Sequence, residues 1–500
     1  MVVVWRAVYV ETTTAPALAT DADTAVFAVF DGEPLGANEA REQLEALLDS
    51  GEARGRFKHL ALTHVDGRRV LLVGLGARDE LTAERARVAA ALAQRRAREL
   101  GATTLCWALP PRAGGEIAEG LVQGTLLSAY RFDRYKRGAK PDSGPDSGSD
   151  DDDNGAGGLE RLIVSAAADI EGEVARAAII ATAQNRAREL GNRPPNDLTP
   201  TALGVYAAEL AASRPALTVS VLGGDELRGL GMGLFAAVAS GSAQDPRLIT
   251  LTYKGGPTEP DSRRLALIGK AVTFDSGGLA IKSMAGMVDM KFDMAGGAAV
   301  IETMAALADL AAPINVLGVV GAAENMISGT AMRSGDILTA LDGTTVEMNN
   351  ADAEGRLVLG DCITYARREG CDAIVDIATL TGGVVVALGS VYAGLMSNDD
   401  ALSELITACA ERTGELVWRL PLHREYAQMV KGRFAQITNR SERREASAIT
   451  GAEFLHHFAG EVPWAHLDIA GVSDHGHAPY LDKGGTGFGV RLLTELALSF

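Results

Sequence analysis

The chain has 500 residues, of which 47% are hydrophobic and 22% charged, a balance that supplies core material for about two to four globular domains and excludes an intrinsically disordered protein. Its 4 cysteines, Cys106, Cys362, Cys371 and Cys409, form no C-x-x-C pair, which excludes a disulfide-built scaffold and speaks against structural zinc or thioredoxin-type chemistry. With 65 acidic against 47 basic side chains the net charge is -18, which repels nucleic acid and anionic lipid surfaces, so neither is expected as a partner.

Residues 1–15 carry Arg6 and Glu11 around a short valine run and lack the basic start, apolar stretch and small-residue cleavage site of a signal peptide. A cytoplasmic location with reduced thiols is expected. Apolar runs at 25–30 and 70–74 predict strands, Gly74-Leu75-Gly76 reads as a tight turn, and the Ala- and Arg-rich stretch 81–100 predicts a helix. Residues 140–158, KPDSGPDSGSDDDDNGAGG, contain no large apolar side chain and predict a flexible surface insertion. The 150–153 aspartate run lacks the calcium-loop spacing and reads as a solvated loop. A strand at 159–166 and a helix at 170–190 follow, the latter stopped by Gly191 and the Pro194-Pro195 pair. The predicted organisation is an N-terminal α/β domain at 1–168, a linking helix at 169–191 and a larger domain at 192–500.

In that larger domain short apolar runs alternate with amphipathic helices, at 265–270, 295–310, 314–322, 357–368 and 373–380. The alternation predicts a mainly parallel sheet covered by helices on both faces, with a ligand site beyond the carboxyl ends of the strands. The fold class is therefore α/β, a smaller N-terminal α/β domain followed by this larger one. Residues 377–396 carry no charge, yet four glycines, two threonines and a serine predict a buried strand, a loop and a short packed helix rather than a membrane span.

No G-x-S-x-G elbow, H-E-x-x-H pair or phosphate loop is present. Among 8 histidines only His456-His457 and His475-x-His477 cluster, and both read as surface or core groups, the second pair in a loop. The informative stretch is 268–300, IGKAVTFDSGGLAIKSMAGMVDMKFDMAGGAAV, where Lys270 and Asp275 flank a strand exit, Gly277-Gly278 permit close backbone approach, Lys282 follows and Asp293 opens a helix. A second stretch, NNADAEGRLVLGD at 349–361, sets Asp352, Glu354 and Arg356 at the mouth of another helix. Taken singly, Asp293 and Asp352 read as helix N-caps, Lys270 as the partner of some acid, and Glu354 with Arg356 as a surface ion pair. Jointly, four carboxylates and two lysines converge on one end of one sheet, and a pair of divalent cations resolves that crowding of like charge. Oxygen ligands select Zn, Mn or Mg, and two such ions a few ångströms apart activate water and polarise a scissile group in peptidases and phosphatases alike. Lys270 would serve as a ligand only as the neutral amine. The carboxylates alone permit a phosphoester hydrolase, disfavoured because Arg356 is the only obvious cation beyond the two lysines; a catalytically silent scaffold or nucleic-acid-binding protein is disfavoured by the net charge.

The residues carry a further pattern. N-A-D-A-E-G-R-L at 350–357 resembles the N-T-D-A-E-G-R-L signature of the leucyl aminopeptidase (M17) family, and the likeness extends to K-A-V-T-F-D-S-G-G from Lys270, K-F-D-M-A-G-G from Lys291, W-A-H-L-D-I-A-G from Trp464, G-T-G-F-G-V-R from Gly485 and N-R-P-P-N from Asn192. The resemblance implies that 192–500 is a catalytic domain in which Asp275 and Glu354 bridge two ions, zinc or manganese, with Lys270 and Asp293 completing one site and Asp352 the other. It also implies a bicarbonate beside Arg356 as general base, Lys282 as the group that stabilises the developing oxyanion, Asp293 against the substrate's α-amine, and a homohexamer. Met290, Thr379, Leu380 and Gly382 match the family's substrate pocket, which implies peptide substrates with Leu or another apolar first residue; a pocket of this kind separates side chains one methylene apart by only about 1–3 kcal/mol. Ala351 in place of the signature's Thr, and Ser334 in an R-S-G-D that stands where the family has R-P-G-D, depart from the pattern without removing a ligand.

Overall fold

The computed structural model describes residues 8–35, 40–136, 158–257, 263–443 and 445–500; the predicted acidic insertion, apart from Gly158, lies outside them, as does the 150–153 run. The chain separates into two compact units, Met1–Thr182 with Ala478–Asp482, and Ala183–His477 with Lys483–Phe500. The division falls within one helix, Glu171–Asn192, which ends shortly before Pro194-Pro195, where a missing donor and the steric demand on Arg193 prevent its continuation.

The first unit holds a six-stranded sheet in the order Tyr9–Thr13, Arg161–Ser165, Thr104–Ala108, Thr24–Phe30, Arg68–Gly76, Leu60–Val65. All neighbours run parallel except the last pair. Thr24–Phe30 lies inside the sheet and is buried along most of its length, as its unbroken apolar run demands. The helix Ala83–Glu99 starts where Thr82 accepts a hydrogen bond from Arg85 N–H, and buries an alanine-rich face against Gly115–Ala129. The segment Ala478–Asp482 belongs to this unit through Tyr480, which is buried and donates its hydroxyl to Glu84 at 3.0 Å.

The second unit holds an eight-stranded sheet in the order Val417–Arg419, Ala393–Ser397, Trp464–Asp468, Ala373–Ala378, Arg264–Asp275, Asn315–Asn325, Arg247–Lys254, Leu217–Leu222. Its centre, from Trp464–Asp468 to Asn315–Asn325, is parallel, and antiparallel pairs flank it on both sides. Helices Ala295–Asp309, Asp400–Thr413 and Val490–Ser499 pack together on one face; Gly233–Ala239, Gly355–Arg368 and Ser447–Ala459 cover the other. The chargeless 377–396 segment is the end of one strand, the helix Gly382–Leu388 and most of the strand Ala393–Ser397. Among the described residues no helix is long and apolar enough to cross a membrane. His475 and His477 lie in an exposed loop. His466, not singled out from sequence, is fully buried, its Nδ1 2.5 Å from Asp376 Oδ1, while Trp464 Nε1 donates to the other oxygen of Asp376 at 2.7 Å.

Strand lengths set the position of the site. Ala373–Ala378 pairs with the central strand only as far as Ile377 opposite Gly269, whereas the central strand runs on to Asp275 with Asn315–Asn325 as its other neighbour. The free flank of residues 270–275 is taken by a non-strand segment: Val272 N–H donates to the carbonyl of Asp293 at 3.2 Å. Helix Ala295–Asp309 reaches the sheet at the same level because Gly269 meets Gly297; a Cβ on Gly269 would lie 2.5 Å from the Cα of Gly297. Gly269→Ala should force helix and strand apart at a cost of about 1–3 kcal/mol. A lowered Tm is the expected reading, and an unchanged one would contradict the close approach.

Asp361 ties the helix Gly355–Arg368 to its surroundings, accepting Phe235 N–H at 2.9 Å and Leu341 N–H at 2.8 Å while fully buried. Burial pushes its carboxyl up to about 7, against the pull of those donors. Because the folded chain holds this proton more tightly than the unfolded chain, the group's contribution is complete below about pH 4 and lost as the pH rises through about 7. The Tm advantage of the parent over Asp361→Asn should therefore shrink between pH 4 and pH 8; a pH-independent difference in thermal melts would refute the assignment.

Candidate active site

Lys270 does not flank the strand exit as expected but lies within the strand Arg264–Asp275, which extends past the apolar run because its polar positions face a cavity instead of water. Its Nζ donates to Asp293 Oδ1 at 2.7 Å and to the carbonyl of Thr379, the first residue after the neighbouring strand, at 2.9 Å, and lies 2.9 Å from Glu354 Oε1. Asp275 ends the strand. Its Oδ1 accepts from Gly277 N–H and from Asn325 Nδ2, both at 2.8 Å, and its Oδ2 lies 2.8 Å from Lys282 Nζ. Lys282 also reaches Asp352 at 2.5 Å.

The N-cap readings of Asp293 and Asp352 are corrected. Asp293 lies two positions before the helix Ala295–Asp309, whose cap position is Met294, and spends its Oδ1 on Lys270 and on the Thr379 hydroxyl at 2.8 Å. Asp352 precedes the cap position of Gly355–Arg368, which is Glu354, and Glu354 makes no capping bond either. The surface ion pair of Glu354 with Arg356 is corrected too, since both are buried. The helix begins tight against Lys270: a Cβ on Gly355 would stand 2.5 Å from Lys270 Cε. Glu354 thus sits at the positive end of a helix dipole, beside a buried ammonium.

These charges govern one another. Burial alone would lower the pKa of Lys270, but Asp293, Glu354 and Asp275 outweigh it and hold the amine above its ordinary value. Lys282 is raised likewise, burial being overcome chiefly by Asp275. Burial and then the charge of Glu354 push Asp275 up to about 6, and burial drives Asp293 well above the carboxylate range. Glu354 moves the other way, burial being outweighed by Lys270 and Lys282. Burial pulls Arg356 down to about 10, which leaves it a cation at neutral pH. Carboxylate oxygens of Asp275, Asp293 and Glu354 lie within 4.8 Å of one another, and among the described residues Asp293 Oδ2 and Glu354 Oε2 are buried acceptors with no hydrogen-bond partner. Unspent buried carboxyl oxygens close together fit hard or borderline cations, whose charge would favour the ionised form of such groups.

All of these side chains line one cavity of about 500 Å³, together with Arg356, Met290, Thr379, Leu380 and Gly382, so every site residue read from the sequence meets at one place. Arg356 donates Nη1 to the carbonyl of Asn439 at 3.0 Å, while its buried Nε has no partner among the described residues. Sequence reading missed Asp289, Asp474 and Arg440 on the same wall, and Asn325 behind Asp275. Asn325 is detectable only through strand register, which sets it opposite Asp275.

Family models match both parts of the chain: the cytosol aminopeptidase family catalytic domain over residues 185–494 and that family's N-terminal domain over residues 26–139. The probable cytosol aminopeptidases of Roseiflexus castenholzii and Solibacter usitatus are 41% and 42% identical, the alignments covering 96% of this chain in each case and 96% and 97% of theirs. A solved structure of the bottromycin maturation enzyme BotP in complex with Mn superposes with a TM-score of 0.83 at 35% identity, covering 96% of this chain and 99% of BotP. Fold and site define a metal-dependent hydrolase of the aminopeptidase class. The chain belongs to the cytosol aminopeptidase (M17) family.

Asn325 also donates to the carbonyl of Ala351 at 2.9 Å, linking Asp275 to the loop that carries Asp352. Asn325→Ala removes one buried donor from Asp275 and one from the carbonyl of Ala351 and should cost about 1–3 kcal/mol. Denaturant unfolding would show it, and an unaltered midpoint would mean that water replaces both bonds.

Proposed function

We propose that this chain removes the first residue, preferably leucine or another apolar residue, from peptides with the aid of two divalent ions, manganese or zinc. The observation that carries the reading is the buried carboxylate cluster with unspent oxygens facing the cavity. Lys270, Asp275, Asp293 and Glu354 would hold one ion, and Asp275, Asp352 and Glu354 the other. Such a pair supplies Lewis acidity to the scissile carbonyl and lowers the pKa of an attacking water.

The chain's own residues do the rest. Asp293, anchored by the Thr379 hydroxyl, receives the substrate's α-amine and so restricts cleavage to the first peptide bond. Lys282, a cation on the cavity wall, stabilises the charge that grows on the carbonyl oxygen. Arg356, whose Nε has no partner among the described residues, anchors the bicarbonate that serves as general base. Met290 and Leu380 offer apolar surface to the first side chain, with Thr379 and Gly382 completing the pocket. The family likeness further supports a homohexamer, which light scattering tests, and a cytoplasmic setting.

Release of p-nitroaniline from Leu-p-nitroanilide should disappear with a chelator and return with Mn or Zn; full activity in a metal-free preparation would overturn the proposal. Lys282→Ala should lower kcat about 10²- to 10³-fold, the loss typical of one removed oxyanion partner. A variant at parental kcat would remove Lys282 from that role.

A further inference from the structure

Arg440 lines the same cavity, is exposed, and among the described residues has no hydrogen-bond or ion-pair partner for its guanidinium. The other cations of the cavity are engaged: Lys270 and Lys282 each bridge two carboxylates, and Arg356 is buried and bonded to Asn439.

Its backbone is fixed relative to the charged cluster. The preceding residue, Asn439, is fully buried, donates Nδ2 to the carbonyls of Asn350 at 2.7 Å and Ala353 at 3.3 Å, and accepts Asn349 N–H at 2.8 Å. Asn439 thus ties the segment that carries Arg440 to the loop that bears Asp352 and Glu354, and the charge of Arg440 acts on Arg356. A second cavity, of about 340 Å³, takes its lining from the same two segments, Asn349 beside Asn350 and Ser441 beside Arg440; its charged lining is Lys431, Arg433 and Arg443 with Glu347 and Glu442.

We propose that Arg440 binds a carboxylate on the residue that follows the scissile bond, so that the enzyme selects peptides presenting that charge there. The inference rests on the aminopeptidase reading. Asp293 and the apolar pocket take the amine and first side chain; of the remaining lining, which includes Asn350, Ala353, Asp289 and Asp474, Arg440 is the cation without a partner among the described residues. A guanidinium matches a carboxylate in shape and charge and repels an ammonium. The carboxylate comes from either of two sources, the C-terminus of a dipeptide or an acidic side chain.

The test compares kcat/KM for Leu-Gly with Leu-Gly-NH2, and for Leu-Glu-NH2 with Leu-Gln-NH2, in the parent, Arg440→Ala and Arg440→Glu. The parent should favour at least one carboxylate substrate by about fivefold, through KM, the scale of a partly exposed ion pair. Arg440→Ala should bring that ratio close to one, and Arg440→Glu should invert it and favour Leu-Lys-NH2. A response of the first pair alone identifies the terminal carboxylate, and of the second pair alone the acidic side chain. Ratios identical in parent and Arg440→Ala, or a proportional loss on every substrate including Leu-p-nitroanilide, overturn the proposal. A parent that hydrolyses none of these substrates instead refutes the aminopeptidase reading.

Discussion

The site exists because one strand outlasts its neighbour. Ala373–Ala378 stops pairing at Gly269, and the central strand continues to Asp275 with one flank open to other backbone. Chain leaving the shorter strand, Thr379 to Thr381, and chain entering the next helix, Met290 to Asp293, fill that flank and bring their polar groups to Lys270. A sheet whose strands ended level would have closed this space with apolar side chains. The close contact of Gly269 with Gly297 matters for the same reason, since it sets how near Asp293 comes.

Such a cluster is costly to fold around. Charges taken out of water lose hydration that their mutual attraction only partly restores, and unequal numbers of acids and lysines leave a surplus of negative charge. Opposite shifts of neighbouring carboxylates, Asp275 up and Glu354 down, express that imbalance: at Asp275 burial and the charge of Glu354 outweigh the lysines, and at Glu354 the lysines outweigh burial. An apolar core of the same size would be more stable, and the surrounding sheet, covered on both faces, tolerates the defect. Asn325 shows how local the compensation is, one amide steadying both Asp275 and the loop of Asp352.

Much of this was legible in the chain. Alternating apolar runs and helices foretold the central elements to within a few residues, because strands buried on both faces must be apolar throughout. The charged site residues stood in two short stretches, and the sheet brings them together as expected for groups that follow strand ends. What escaped reading depends on distance in sequence. Lys270 looked like a strand end because polarity marks the boundary in an ordinary strand, whereas here it marks a cavity wall. Asn325 and Arg440 carry no motif, and only register and a buried asparagine bring them to the site. His466 is quiet for a similar reason, its partner Asp376 lying on the adjacent strand.

All four cysteines are free and buried, and burial raises each thiol, Cys106 and Cys371 to about 11 and Cys362 well above its ordinary value. Alkylating reagents and disulfides react with the thiolate at a sulfur they can reach, so the folded chain offers them almost no foothold. Whatever modification does occur must wait for the surrounding segment to open. Cys362 lies on the helix that begins behind Glu354, its sulfur against Gly321 of the sheet and outside the cavity lining. Its rate of capture is therefore a clock for the breathing of the element that carries Glu354 and Arg356, built into the sequence and readable without altering a residue of the cavity.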